Sequence, residues 1–122
     1  MANELKVNIN VRFQKDGTDI KLVAADNSTF DVSGGRFIHN RKTIGTSEEA
    51  LDLGEMSGSE FTFVAVNHST LYDIKLTFAS GQSNVVVLKP LEPCYFRWEA
   101  DSEPYATAIS GSADLEYLLI EA

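Results

Sequence analysis

Few residues in this chain could do covalent chemistry. His39 and His68 are the only imidazoles and Cys94 the only thiol. A nucleophile–histidine–acid triad assembles in space, and a small hydrolase would need such a pair converging beside a serine. No Gly-x-Ser-x-Gly elbow is present, however, and "SGSEF" and "SGSAD" have the composition of turns. Glu48, Glu49, Asp52 and Glu55 could offer oxygens to Ca²⁺, as could Asp101 with Glu103. No stretch has the EF-hand order of ligands with its central glycine and terminal glutamate, so a solvated acidic loop is the simpler reading. "SGG" at 33–35 lacks the Lys-Ser/Thr of a phosphate-binding loop and reads as a turn. A single cysteine excludes an intrachain disulfide and a cysteine-based metal site. The expectation is no catalytic residue, no metal and no cofactor, hence no enzyme.

Sugar recognition through aromatics is harder to dismiss. Tyr72, Tyr95, Trp98, Tyr105 and Tyr117 are available, but the residues of "CYFRW" must divide between the two faces of one strand. Some of these rings are therefore core, the usual fate of aromatics.

The segment that departs from its surroundings is "GGRFIHNRKTIGTSEEALDLGE", residues 34–55. From Ser33 to Gly45 there are three bases and no acid; from Ser47 to Glu60 there are five acids and no base. Adjacent stretches of opposite sign can attract each other within one molecule. They can also pair between copies, in a head-to-tail contact that closes into a ring when the rotation permits. Arg36, His39, Arg41, Lys42, Glu48, Glu49 and Asp52 are the candidate protein-contact residues.

The elements that must position these groups are strands. Leu5, Val7, Ile9, Val11 and Phe13 alternate with polar residues, the period of a strand with one buried face. Asp16-Gly17 is a hairpin signal, and "IKLVA" returns with Ile20, Leu22 and Ala24 expected inward. "FDV", "RFIHNR", "FTFVAVN", "LYDIKLTF", "CYFRW", "YATAI" and "LEYLLIEA" read as further strands. "VVVLK" is apolar without a break, which predicts burial on both faces. "TSEEALDLG" has capping-box spacing at Thr46 and Glu49, yet a short strand is equally available. The total is roughly nine or ten short strands and no convincing helix. The expectation for residues 1–122 is one all-β domain, an antiparallel β-sandwich with jelly-roll topology as its candidate form.

Eighteen acids against ten bases give a net charge of −8, which argues against phosphate-backbone binding. No apolar run approaches the roughly 20 residues of a membrane helix. "MANELKVNINVRF" has no continuous apolar stretch, so neither a signal peptide nor an anchor is expected. The sequons at Asn27 and Asn67 would matter only in a secretory pathway.

"RFIHNRKTIGTSEEALDLGE", "FVAVNHSTLYDIKLTF", "VVVLKPLEPCYFRW" and "YATAISGSADLEYLLIEA" together resemble the small β-sandwich structural proteins of tailed bacteriophages. The resemblance spans about residues 33–122, and the last strand is its most specific part. The usual glycine of the family's "PGE" turn is absent, with Leu91-Glu92-Pro93 in its place. The family transfers no catalytic residue. It implies a capsid decoration or cement protein of the virion, made in the host cytoplasm, oligomeric and bound to the major capsid protein or another virion protein. A receptor- or carbohydrate-binding module of the tail or fibre is the alternative.

Overall fold

The structure is a computed structural model that describes residues 4–23, 28–31, 37–52, 60–77, 80–81, 85–98 and 104–121; for 23, 28–31, 85 and 98 it describes the backbone only. It is all-β, and its sheets are antiparallel. Twelve strands are present among the described residues. The contacts divide the chain into two compact units, residues 1–33 and 34–122, each considered by itself.

In the first unit, β1 (Glu4–Val7) pairs with β4 (Ser28–Asp31), and β2 (Asn10–Lys15) pairs with β3 (Thr18–Val23). The expected hairpin is present. Asp16 and Gly17 both take positive φ, 47° and 84°, as a two-residue turn matched to strand twist requires. Two expectations fail here. The run from Leu5 to Phe13 is two strands broken at residues 8–9, and Val11, Phe13, Ile20 and Leu22 lie exposed rather than inward. Alternation predicts that one face is apolar; it cannot say that anything covers that face. Ala24 lies outside the described residues.

The second unit holds eight strands: β5 (Phe37–Ile44), β6 (Glu49–Ala50), β7 (Phe61–Asn67), β8 (Ile74–Thr77), β9 (Val85–Leu88), β10 (Pro93–Trp98), β11 (Tyr105–Ala108) and β12 (Ala113–Glu121). They form two four-stranded sheets, ordered β5-β12-β7-β10 and β6-β11-β8-β9. Counted within the unit, the orders are first-eighth-third-sixth and second-seventh-fourth-fifth. Every connection except β8 to β9 therefore passes from one sheet to the other. The ambiguous "TSEEALDLG" contributes the short strand β6, which pairs with β11.

Both sheets contribute to one core. Ile44, Phe61, Phe63, Ala65, Leu115, Tyr117 and Leu119 come from the first sheet, and Ile74, Leu76, Leu88, Ala106 and Ala108 from the second. Along β12 burial alternates strictly, with Ala113, Leu115, Tyr117 and Leu119 inside. Phe63 and Phe96 stack across β7 and β10 with centroids 5.3 Å apart, a cross-strand aromatic pair that fixes this register. Tyr117 is a core ring, and its hydroxyl accepts a hydrogen bond from Asn40 at 3.2 Å. "VVVLK" is not buried on both faces. It forms the edge strand β9, with Leu88 inside and Val87 exposed. An unbroken apolar run does not distinguish a central strand from an edge.

Candidate functional site

Of the residues singled out by chemistry, His39, Arg41 and His68 come together at the outer face of the sheet β5-β12-β7-β10. Antiparallel partners directly opposite each other share a face. With Ile44, Leu115 and Phe63 facing the core, the opposite parity lies on the sheet's other face, where Thr62 is nonetheless buried, 3% exposed. The register then sets out three rows: His39–Leu118–Val64–Tyr95, Arg41–Glu116–Val66–Pro93 and Phe37–Ile120–Thr62–Arg97. The first row is apolar from Leu118 to Tyr95, and Phe37 is 70% exposed at one end of the third. A shallow depression of about 240 Å³ lies here, lined by His39, Val64, Val66, Glu116 and Leu118 among others.

Glu116 is the hub. His39 Nε2 donates to its Oε2 at 2.7 Å, and His68 Nε2 donates to its Oε1 at 2.7 Å. An ionised carboxylate only accepts, so both rings must carry a proton on Nε2. The bond from His39, then that from His68, lowers the Glu116 pKa from its ordinary value of 4.5. Beside it, Arg41 Nε donates to Asp114 Oδ2 at 2.8 Å, and this bond raises the Arg41 pKa. Both β5–β12 contacts are diagonal: Arg41 stands opposite Glu116 yet reaches Asp114, and His39 stands opposite Leu118 yet reaches Glu116.

The remaining acidic candidates are also engaged within the chain. Lys42 reaches Glu49 at 3.4 Å. Glu48 accepts from Ser80 Oγ at 2.8 Å and from the Gly81 amide at 3.1 Å. Asp52 is exposed, next to the buried Leu51. Arg36 lies outside the described residues, as do Glu55, Asp101 and Glu103. His39, Arg41 and Lys42 thus each meet an acid of their own chain, but only Lys42–Glu49 joins the basic stretch to the acidic stretch 47–60; the acids that His39 and Arg41 meet lie on β12. Among the described residues, no three His, Cys, Asp or Glu side chains converge where a metal ion could be held.

A histidine–acid pair is present, and Ser69 follows His68 in the chain. The Ser69 hydroxyl accepts the amides of Leu71 and Tyr72 at 3.2 and 3.1 Å, and so shapes the turn after β7. As it stands, the His39–Glu116–His68 group clips β5, β12 and the end of β7 together.

Two residues that sequence reasoning missed hold this region. Asn67, 0% exposed, donates from Nδ2 to the carbonyls of Tyr72 at 2.9 Å and Leu88 at 3.0 Å, while its Oδ1 accepts the Ser69 amide at 2.9 Å. Its amide donates to the Glu92 carbonyl at 3.1 Å, and its carbonyl accepts from Leu91 at 2.8 Å. It therefore joins the first sheet to β9 of the second. Leu91 closes the turn before β10. Glu92 N donates to Lys89 O at 3.0 Å, with Pro90 second in the turn and Leu91 third at φ 66°, where glycine is usual. Cys94 is partly buried, and desolvation pushes its thiol pKa up to about 11. That is the state of an inert structural cysteine.

In comparisons with known proteins the chain matches no family model, no curated protein and no solved structure. Among the described residues no helix is long and apolar enough to cross a membrane.

Proposed function

We propose that this chain is a non-enzymatic structural protein of a tailed-bacteriophage virion, made in the host cytoplasm. It docks as a capsid decoration or cement subunit on the major capsid protein or another virion protein. The observation that carries the reading is the outer face of the β5-β12-β7-β10 sheet. Val64, Val66, Tyr95, Leu118 and Ile120 form an apolar centre, with Phe37 standing out from it and His39, Arg41 and Arg97 at the margins. An apolar centre with a charged rim is the anatomy of a protein-docking surface.

Two further points support the same reading. The strand orders of the second unit support a jelly-roll reading, an architecture found in viral capsid proteins and also in lectins. His39 and Arg41 on the face are held by Glu116 and Asp114, so they present a fixed pattern to a partner. In a shell, repetition of the contact would multiply modest affinities into large particle stability.

The test is rebinding of purified protein to particles stripped of it. Phe37→Ser and Arg41→Glu, placed on the docking face, should lower occupancy while leaving the β-sheet circular dichroism intact. Lys75→Glu, on β8 of the other sheet, should leave occupancy unchanged. Equal occupancy of all three variants and the wild type would remove the face from the contact.

A further inference from the structure

The β2–β3 hairpin is an unfinished element. Val11 stands opposite Leu22 and Phe13 opposite Ile20, so these four side chains share one face. They are exposed by 51%, 67%, 51% and 51%, and Ile9 beside them by 39%. Together they put a few hundred Å² of apolar surface in water, the size at which a patch marks an interaction site. A lone two-stranded hairpin is marginal, and three or more strands with an apolar face are needed for independent stability. In a two-stranded sheet both strands are also edges, open templates for pairing with another chain.

The charges indicate which edge is used and by what. Lys15 and Thr18 flank the two-residue turn, so they form a hydrogen-bonded pair. Alternation along the ladder then aims the N–H and C=O groups of Ile20 and Leu22 at β2, and those of Asp19 and Lys21 at the open side. On the polar face Lys21 stands directly opposite Arg12, a like-charge pairing that disfavours the isolated hairpin. Arg12 avoids it by reaching diagonally to Asp19, with two bonds of 3.0 and 2.8 Å.

A second copy laid antiparallel along β3 and centred on Ile20 places Asp19 of each chain opposite Lys21 of the other. The polar face then reads Arg12–Asp19–Lys21 across the seam, alternating in sign. Ile20 meets Ile20 on the apolar face, and the outward amides and carbonyls of Asp19 and Lys21 bond to each other. Pairing along β2 offers no such match, because Arg12 and Lys15 are its only charges. Segment 1–33 is also the part of the chain that can approach its own copy. It carries four bases and five acids, against six and thirteen in 34–122.

We propose that the chain self-associates by antiparallel pairing of β3 with β3 of a second copy about Ile20, making a four-stranded sheet with one continuous apolar face. This proposal is independent of which partner the other sheet docks on. It is tested on the full chain by sedimentation equilibrium and by cross-linking. The wild type should run as a dimer or a multiple of it at about 100 μM, within the usual range for weak to moderate contacts. Asp19→Lys alone and Lys21→Asp alone should each weaken association at least tenfold. The double swap, Asp19→Lys with Lys21→Asp, restores opposite charges across the seam and should recover it.

In a Cys94→Ser background, Ile20→Cys should oxidise to a disulfide-linked dimer. Residues facing across a non-hydrogen-bonded pair have Cα atoms about 4.5 Å apart, within disulfide reach. Val11→Cys, on the outer strand, should not. A monomeric wild type, an association indifferent to the single charge changes, or Ile20→Cys linking no better than Val11→Cys would each overturn the proposal. The first of these would assign the hairpin to a different protein.

Discussion

Replacing Asn67 by leucine should cost about 3–5 kcal/mol of stability without changing the fold. Leucine has the branching and heavy-atom count of asparagine with bulkier methyl ends, so the site, 0% exposed, loses hydrogen bonds rather than contacts. Three bonds of 2.9, 3.0 and 2.9 Å disappear. At a net worth of roughly 1 kcal/mol each they account for about 3 kcal/mol. The Tyr72 and Leu88 carbonyls and the Ser69 amide also lose a partner in a dry environment, at about 1–3 kcal/mol for any group that finds no other. Better burial of the leucine offsets part of that, which sets the upper figure. In urea, with a slope of roughly 2 kcal/mol per molar, the midpoint should fall by about 2 M at unchanged slope. Asn67→Asp separates the causes: it keeps an acceptor for Ser69 but sets carboxylate oxygen against two carbonyls. It should be at least as damaging at neutral pH and milder in acid, where a protonated carboxyl can donate to one of them. A midpoint shift under about 0.5 M for Asn67→Leu would refute the view that this amide ties the two sheets together.

Leu91→Gly should stabilise the protein by about 0.5–1 kcal/mol, because it removes a left-handed leucine at φ 66° and costs some unfolded-state entropy in return; a destabilised variant in the same urea assay would contradict it. Glu116→Gln should narrow the stability of the protein near neutrality. The carboxyl pKa is lowered in the folded state, first by His39 and then by His68, so its contribution is present above pH 4.5 and is lost as pH falls through the lowered value. Stability curves of variant and wild type should therefore converge in acid, and a gap that persists at pH 2 would contradict this linkage. Cys94, raised from 9.0 to about 11, should react with iodoacetamide at pH 8 about 100-fold more slowly than a free thiol, since the thiolate is the nucleophile; a rate within threefold of the free thiol would mean the sulfur is not desolvated.

The strands were legible because their signal is local. Alternation along "LEYLLIEA" and "FTFVAVN" and the Asp16-Gly17 turn each contain their own instruction. Register is not local: His39 meets Glu116, and Arg41 meets Asp114, across more than seventy residues. The opposite charges within 34–55 drew attention to a Lys42–Glu49 type of contact, which exists. The acids that hold His39 and Arg41 lie on β12, in a stretch read only as the terminal strand and its turn. Asn67 is legible only as the end of the strand "FTFVAVN" and as a sequon, since nothing in "VNHS" says that its amide will be sealed between sheets. The hairpin failed for the opposite reason. Alternation specifies an apolar face, and whether that face meets a core or another molecule depends on the rest of the assembly.

The proposed function makes this protein a repeated component of a virion shell. Its most direct test is the copy number of the chain relative to the major capsid protein in purified particles, by quantitative mass spectrometry. A ratio near one, or a simple lattice fraction of it, is the predicted result. A handful of copies per particle would contradict the decoration reading and assign the protein to the neck, tail or fibre.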